Sequence, residues 1–399
     1  MPFLPSAGQW FVALVASFAT GVLHAQPTAD RDPGNHYILV CPDGCPQKAL
    51  EVPIGKPSGI AVDLEGNVYF TSQNVAFRLG RDGVLTRIAG TGSRGYSGDG
   101  GPAVAARLDL PERVFDNGEW SWMPIAGGIA VDRDGNVVVA DGGNGRLRHV
   151  DRNGTITTLK DDAGRAIEID YDVPQGVAFD RTGNLYLNSL WGTFARRSPA
   201  GEVHDLVGDP CQGPDWDVLC NAYSLAIDEA GTLYFADGRC RVMRWSDAGG
   251  LGFAAGAAEP PCGKTGDGAL AINAKLGRPF GLALDVDAQL YFTDLTYHCV
   301  RKVDRAGVLA TVAGTCERVF ANPWWALTDV PFDGDGGLAT DAKLWNPKGV
   351  AVDREGNLYI ADTEHRRIRK VTPDGIITTV AGNGEALPVM QVDSAVKAP

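Results

Sequence analysis

NPKGVAVDREGNLYIADTEHRRIRKVTPDGIITTVAGNG, residues 346–384, decides the fold. Four short extended runs lie within it. GVAVD is small and apolar, with Ala351 between two valines. NLYIAD is β-branched and aromatic, and a tight Asp353-Arg354-Glu355-Gly356 turn leads into it. RRIRKVT alternates apolar and cationic residues, and IITTVAG follows a Pro373-Asp374-Gly375 turn. Strand-length apolar runs separated by glycine-bearing turns describe an antiparallel meander. One four-stranded meander cannot bury both of its faces, so such a unit belongs to a repeat.

Working outward, the first strand recurs six times: GIAVD (59–63), GIAVD (128–132), GVAFD (176–180), SLAID (224–228), GLALD (281–285) and GVAVD (349–353). Alanine holds the middle position and aspartate the last in all six. A β-rich run follows each: NVYFTS, NVVVAD, NLYLNS, TLYFAD, QLYFTD and NLYIAD. Six four-stranded units arranged radially make an all-β, six-bladed β-propeller, which leaves only short sheet edges. The Gly-x-Ala pattern suits a strand beside a crowded axis, and the six aspartates suit carboxylates that accept turn N–H groups. Residues 36–55 hold a further strand pair, expected to close the ring against the last blade rather than to found a seventh.

At these residues the sequence resembles the NHL-repeat propeller family, over six units from about residue 56 to residue 384. Blade 4 departs most, with Ser224 for the first glycine and a shortened GRCRV after Asp237. The resemblance implies the fold strongly and the function weakly. NHL propellers serve as protein, RNA or ligand platforms and as sensors, and related six-bladed propellers include lactonases and lyases.

Composition bounds the rest. Glycine is 51 of 399 residues, above the usual share of about 7% and in keeping with many tight turns. A formal charge of −13 argues against a nucleic-acid partner. Residues 1–25 read as an export signal with an apolar run too short to span a bilayer, residues 26–35 as a loose leader, 36–384 as the propeller and 385–399 as a loose tail. No later run is long and apolar enough for a transmembrane segment. The chain is therefore read as a secreted or periplasmic monomer. Eight cysteines behind an export signal imply disulfides, and blade positions pair them as Cys41–Cys45, Cys211–Cys220, Cys240–Cys262 and Cys299–Cys316.

Propeller topology puts second-to-third and between-blade connections on one face, here called the top. Long between-blade stretches cover residues 91–126, 209–221, 257–278 and 315–347, and such loops are where binding residues gather. Three share a submotif: YSGDGGPAVAARLDLP (96–111), KTGDGALAINAKLGRP (264–279) and FDGDGGLATDAKLWNP (332–347). Gly-Asp-Gly resembles part of a calcium loop, but the other alternating oxygen ligands are missing. A structured connector is expected: a glycine turn, a short helical turn, and a leucine tucked against the blade.

Seven of nine tryptophans fall in top-face connections. Trp120, Trp122, Trp191, Trp216, Trp324 and Trp325 are the candidate ligand-binding residues, with Trp345 the seventh. Aromatic faces beside Asp116, Glu119, Asp215, Asp217 and Asp329 suit a glycan, peptide or protein partner. No nucleophile elbow, phosphate loop or HExxH motif occurs, so no catalytic residue is assigned. His298 and His365 open third strands and read as structural. Asp141, Asp237, Asp294 and Asp362 end second strands near the top face. Four carboxylates around an axis are what a divalent cation would use in a metal-dependent propeller hydrolase or lyase, the alternative function. The structural account gives them backbone and arginine partners such as Arg146 or Arg366. No other cofactor is expected.

Overall fold

The computed structural model describes residues 36–37, 46–110, 113–116, 119–124, 127–167, 173–189, 194–206, 222–237, 240–257, 262–318, 330–387 and 389–390. The expected export signal and the residues Cys41, Cys45, Cys211, Cys220, Trp191, Trp216, Trp324 and Trp325 lie outside them. Six antiparallel sheets stand in a ring, each ordered from an inner to an outer strand. Blade 1 is Pro57–Val62, Val68–Ser72, Val75–Leu79 and Val84–Ala89. Blade 2 is Ile129–Val131, Val137–Asp141, Arg146–Val150 and Ile156–Thr158. Blade 3 is Pro174–Phe179, Leu185–Ser189, Phe194–Arg197 and Val203–Asp205. Blade 4 is Leu225–Ile227, Leu233–Asp237, Arg241–Ser246 and Gly250–Ala255. Blade 5 is Pro279–Leu284, Leu290–Asp294, Cys299–Val303 and Leu309–Ala313. Blade 6 is Val350–Val352, Leu358–Asp362, Arg367–Val371 and Ile377–Ala381. The six-bladed reading is borne out. No described helix is long and apolar enough to cross a membrane.

The core is divided among the junctions between blades. One apolar cluster joins each neighbouring pair, including blade 6 to blade 1, where Phe70 and Phe77 meet Tyr359 and Ile368. Phe70, Phe235 and Phe292 are wholly buried, and each such side chain contributes about 2–3 kcal/mol of transfer free energy.

The aspartate ending each inner strand builds the turn beyond it. Asp353 Oδ1 accepts from Glu355 N and Asn357 N at 2.9 and 2.8 Å, and Oδ2 accepts from Asn357 Nδ2 at 2.8 Å. Asp63, Asp132, Asp180, Asp228 and Asp285 accept the same two turn N–H groups. The opening glycines answer a different demand. A Cβ on Gly281 would stand 2.2 Å from Lys348 O, and one on Gly128 2.3 Å from Gln175 O. Each inner strand thus presses its first residue against the backbone of the next blade.

The connectors lock this ring. In the Gly-Asp-Gly copies, the glycine after the preceding blade donates to a connector alanine: Gly90 to Ala103, Gly256 to Ala271, and Gly314 to Ala339, at 2.8–3.0 Å. The same alanines donate onward to Gly154, Gly307 and Gly375 in the following blade. Residues 49–57 repeat the pattern. Gly382 donates to Ala49 at 2.8 Å, and Ala49 donates to Gly83 at 3.0 Å. The spacing Ala49, Val52, Ile54, Pro57 matches Ala103, Ala106, Leu108, Pro111. The N-terminal segment is therefore a fourth connector, joining blade 6 to blade 1, while each blade draws all four strands from contiguous sequence. Lys56 and Glu364 pair at 2.9 Å across the same junction, and His36–Tyr37 pairs with Val389–Met390.

Candidate functional site

The top face is assembled by the connectors, and a buried arginine holds each Gly-Asp-Gly copy. Arg148, Arg301 and Arg369 sit mid-way along third strands and are at most 1% exposed. Arg148 pairs with Asp99, Arg301 with Asp267, and Arg369 with Asp335, at 2.8, 2.7 and 2.8 Å. They also donate to the loop carbonyls of Ser97, Thr265 and Asp333. The first glycine of the motif closes on the connector: a Cβ on Gly98, Gly266 or Gly334 would stand 2.5–2.7 Å from Ala106, Ala274 or Ala342. Short 3₁₀ turns follow at Ala103–Ala105 and Ala271–Asn273, and Leu108, Leu276 and Leu344 are buried beneath. The Gly-Asp-Gly aspartate is an arginine's partner.

These arginines are the residues that sequence reasoning missed. Their signal is co-occurrence. The same third-strand position holds Phe77, Ala195 and Met243 in blades 1, 3 and 4, and none of those blades is preceded by Gly-Asp-Gly. An aromatic ring covers two of the three. The Arg148 guanidinium lies 4.8 Å from the Tyr96 ring centre and that of Arg369 lies 4.7 Å from Phe332, within cation–π range.

The four carboxylates named as a cation's ligands are each at most 1% exposed, and each is engaged within its own part of the ring. Asp141 accepts from Asp109 N, Asn144 Nδ2 and Arg148 Nη1 at 2.7, 2.9 and 3.2 Å. Asp237 accepts from Arg241 N at 3.1 Å and from Arg241 Nε at 2.6 Å. Asp294 accepts four backbone N–H groups, from Gly277, Arg278, Thr296 and Tyr297. Asp362 accepts from Trp345 N at 2.8 Å and from Arg369 at 3.5 Å, and it meets His365 Nδ1 at 2.8 Å. The expected arginines were Arg146 and Arg366. The arginines that bond Asp141 and Asp362 are Arg148 and Arg369, the middle residues of their third strands. Burial pushes the Asp141 and Asp294 carboxyls up, against the pull of their donors. The described residues contain no group of three or more His, Cys, Asp or Glu arranged to hold a metal.

Trp345 is a packing residue. It is half-buried and meets His365 edge-on, with ring centres 5.7 Å apart. Trp120 and Trp122 lie on Glu119–Pro124, which forms a two-stranded ribbon with Arg113–Asp116, outside every blade. Two predicted disulfides are present, Cys240–Cys262 and Cys299–Cys316, each fastening the start of a third strand to the following connector. The inner strands enclose a central cavity of about 230 Å³, mostly aliphatic, with Gln175 and Lys348 at its top.

His298 couples blade 5 to the connector before blade 6. Its Nδ1 accepts from Asn346 N at 3.0 Å, so the ring is neutral. Burial pushes its pKa down to about 4, partly offset by Asp362. An unfolded histidine titrates near 6.5, so between those values the unfolded chain binds a proton that the folded chain refuses. Stability contributed at this site is present above about pH 6.5 and falls by up to about 3 kcal/mol as pH drops to about 4. Asparagine keeps an acceptor and tolerates the left-handed backbone of this residue, φ 52°. Urea midpoints for wild type and His298→Asn, taken from pH 7 to 4.5, are expected to converge on acidification.

Comparison with known proteins agrees with this architecture. A family model described as the Teneurin NHL domain matches residues 255–333 and 328–394. Teneurin-3 of Mus musculus is 28% identical over 299 residues, which cover 71% of this chain and 9% of that protein. The chain thus spans less than a tenth of that relative's length. Among solved structures, a protein of unknown function from Bacteroides thetaiotaomicron superposes with a TM-score of 0.57 at 18% identity, covering 82% of this chain and 72% of that one. An auxiliary nutrient binding protein from the same organism gives 0.54 at 17% identity, covering 82% and 70%. Six repeats, a closed ring of six four-stranded blades and these matches together support an NHL-repeat six-bladed β-propeller.

Proposed function

We propose that this propeller is an exported binding module whose top face takes a glycan, peptide or protein partner. One observation carries the reading: the sequence beyond the repeat is concentrated in top-face connectors, and three of them are each anchored to a buried arginine. A rigid scaffold presenting long loops is the usual construction of a binding surface. The two disulfides support export, since such bonds persist in oxidising compartments. A solved propeller of the same fold carries the description of a nutrient binding protein, a parallel role.

The chemistry of the buried carboxylates favours binding over a metal-dependent hydrolase or lyase. Asp141, Asp294 and Asp362 each accept at least two N–H groups from neighbouring segments. A divalent ion would have to displace those donors, and a buried N–H left unpaired costs about 1–3 kcal/mol.

A panel of soluble glycans and peptides, screened by calorimetry against the full chain, tests the reading. Any ligand found is expected to bind at least about tenfold more weakly to the Trp324→Ala, Trp325→Ala double variant, whose thermal midpoint should match wild type. Unchanged affinity in that folded variant removes these two rings from the site.

A further inference from the structure

Among the described residues, the axis-facing edge of each inner strand has no strand beside it, because every blade ends there. The register tells which groups point that way. In blade 6, Asp353 N donates to Asn357 O at 3.0 Å, so these two residues form a hydrogen-bonded pair. Bonded and non-bonded pairs alternate along an antiparallel ladder. Val352 and Val350, opposite Leu358 and Ile360, are therefore non-bonded pairs. Their N–H and C=O groups turn away from the second strand and towards the axis. The inner-strand aspartate makes the same turn bond in all six blades, and the registers place Ile60, Val62 and their counterparts alike. Two residues in each of six strands thus turn twelve N–H and twelve C=O groups towards the central cavity.

Side chains set the rest of the cavity's character. Ser58, Ser224, Gln175 and Lys348 stand at its upper end, the remaining lining is apolar, and among the described residues it holds no carboxylate. Gln175 and Lys348 are buried. The fourth residue of each inner strand, Val62 in blade 1 and Phe179 in blade 3, is half-buried at the lower end, on the face away from the connectors. The turns of that face all lie within the described residues. Buried backbone N–H and C=O groups require partners. A cation here would face the N–H rows with no carboxylate to balance it, and an anion would face the carbonyl rows. Donors and acceptors in equal number suit groups that do both, and a hydroxyl is such a group. Water fits, and about 230 Å³ takes several molecules. A polyol hydroxyl reproduces both roles of the water it displaces, the condition for displacement without loss of affinity.

We propose that the central cavity binds a small neutral polyol, of the size of a cyclitol or monosaccharide, which enters from the face away from the connectors. Its hydroxyls bond the axial N–H and C=O rows, and its C–H groups rest against the apolar lining. The six sheets hold both rows in place beforehand, so binding orders little of the protein. This site lies inside the ring and is independent of the top-face reading.

The probe is myo-inositol, titrated into the full chain by calorimetry and followed in parallel by amide hydrogen exchange. One molecule is expected to bind per chain. Exchange is expected to slow more at Val350 and Val352, whose N–H groups face the cavity, than at Ala351, whose N–H faces the second strand. The Val131→Phe, Val352→Phe double variant narrows the lower mouth with the residue that blade 3 carries there, Phe179. It should weaken binding at least about tenfold with an unchanged thermal midpoint. The Trp324→Ala, Trp325→Ala variant should bind myo-inositol as wild type does. No heat and no slowing at Val350 and Val352 overturns the proposal and leaves water as the occupant. Equal slowing at Ala351, full affinity in the phenylalanine variant, or weakened binding in the tryptophan variant overturns it too. Inorganic phosphate that excludes myo-inositol, and whose own binding is lost in Lys348→Met, assigns the cavity to an anion and overturns it as well.

Discussion

Replacing Arg148 by alanine is expected to destabilise the propeller by about 3–5 kcal/mol, the usual cost of removing one partner from a buried ion pair. The guanidinium is fully buried and bridges Asp141, wholly buried in blade 2, to Asp99 on the connector. Alanine leaves Asp141 a buried carboxylate with only Asp109 N and Asn144 to answer it. It also frees the loop carbonyl of Ser97 from its donor. Asp99 provides the contrast. Its side chain is 41% exposed, so Asp99→Asn should cost less than about 1 kcal/mol, as for other solvated partners. Chemical denaturation of the two variants measures the asymmetry. Equal, small losses would show that the arginine is not what anchors the connector.

A second large effect is expected at the axis. Gly281→Ala sets a methyl 2.2 Å from Lys348 O, and the obstacle is backbone. Relief requires blades 5 and 6 to move apart, and overpacking of this kind costs about 3 kcal/mol. Ser224 occupies the same place in blade 4 and already carries a side chain, so Ser224→Ala should change stability by less than about 1 kcal/mol. Thermal unfolding of both variants checks the pair. A Gly281→Ala protein as stable as wild type would mean that the ring has slack at its centre.

The fold was legible because it is built from local signals repeated six times. Inner-strand glycine, central alanine and turn aspartate each answer a constraint within a few residues of themselves or of the equivalent residue next door. The connectors were half legible. Gly-Asp-Gly and its leucine predicted a turn and a buried anchor, and Leu108, Leu276 and Leu344 are buried as expected. The partner of the aspartate was not visible, because Asp99 and Arg148 are 49 residues apart and nothing local joins them. Only the shared absence from blades 1, 3 and 4 gives the pairing away. The fourth connector was hidden for a related reason. Residues 49–57 lack both Gly-Asp-Gly and the arginine, since Phe77 fills that place, and only the spacing of Ala49, Val52, Ile54 and Pro57 survives. Trp345, grouped by position with the other top-face rings, is held by His365, a contact that depends on how the connector folds.

On the proposed function, the buried top-face carboxylates hold the scaffold together and the loops above them take the partner. Divalent-ion content of the purified, dialysed full chain tests it most directly. Far less than one ion per chain is expected, with the same value in Asp141→Asn and Asp362→Asn. One ion per chain, lost in either variant, would contradict it.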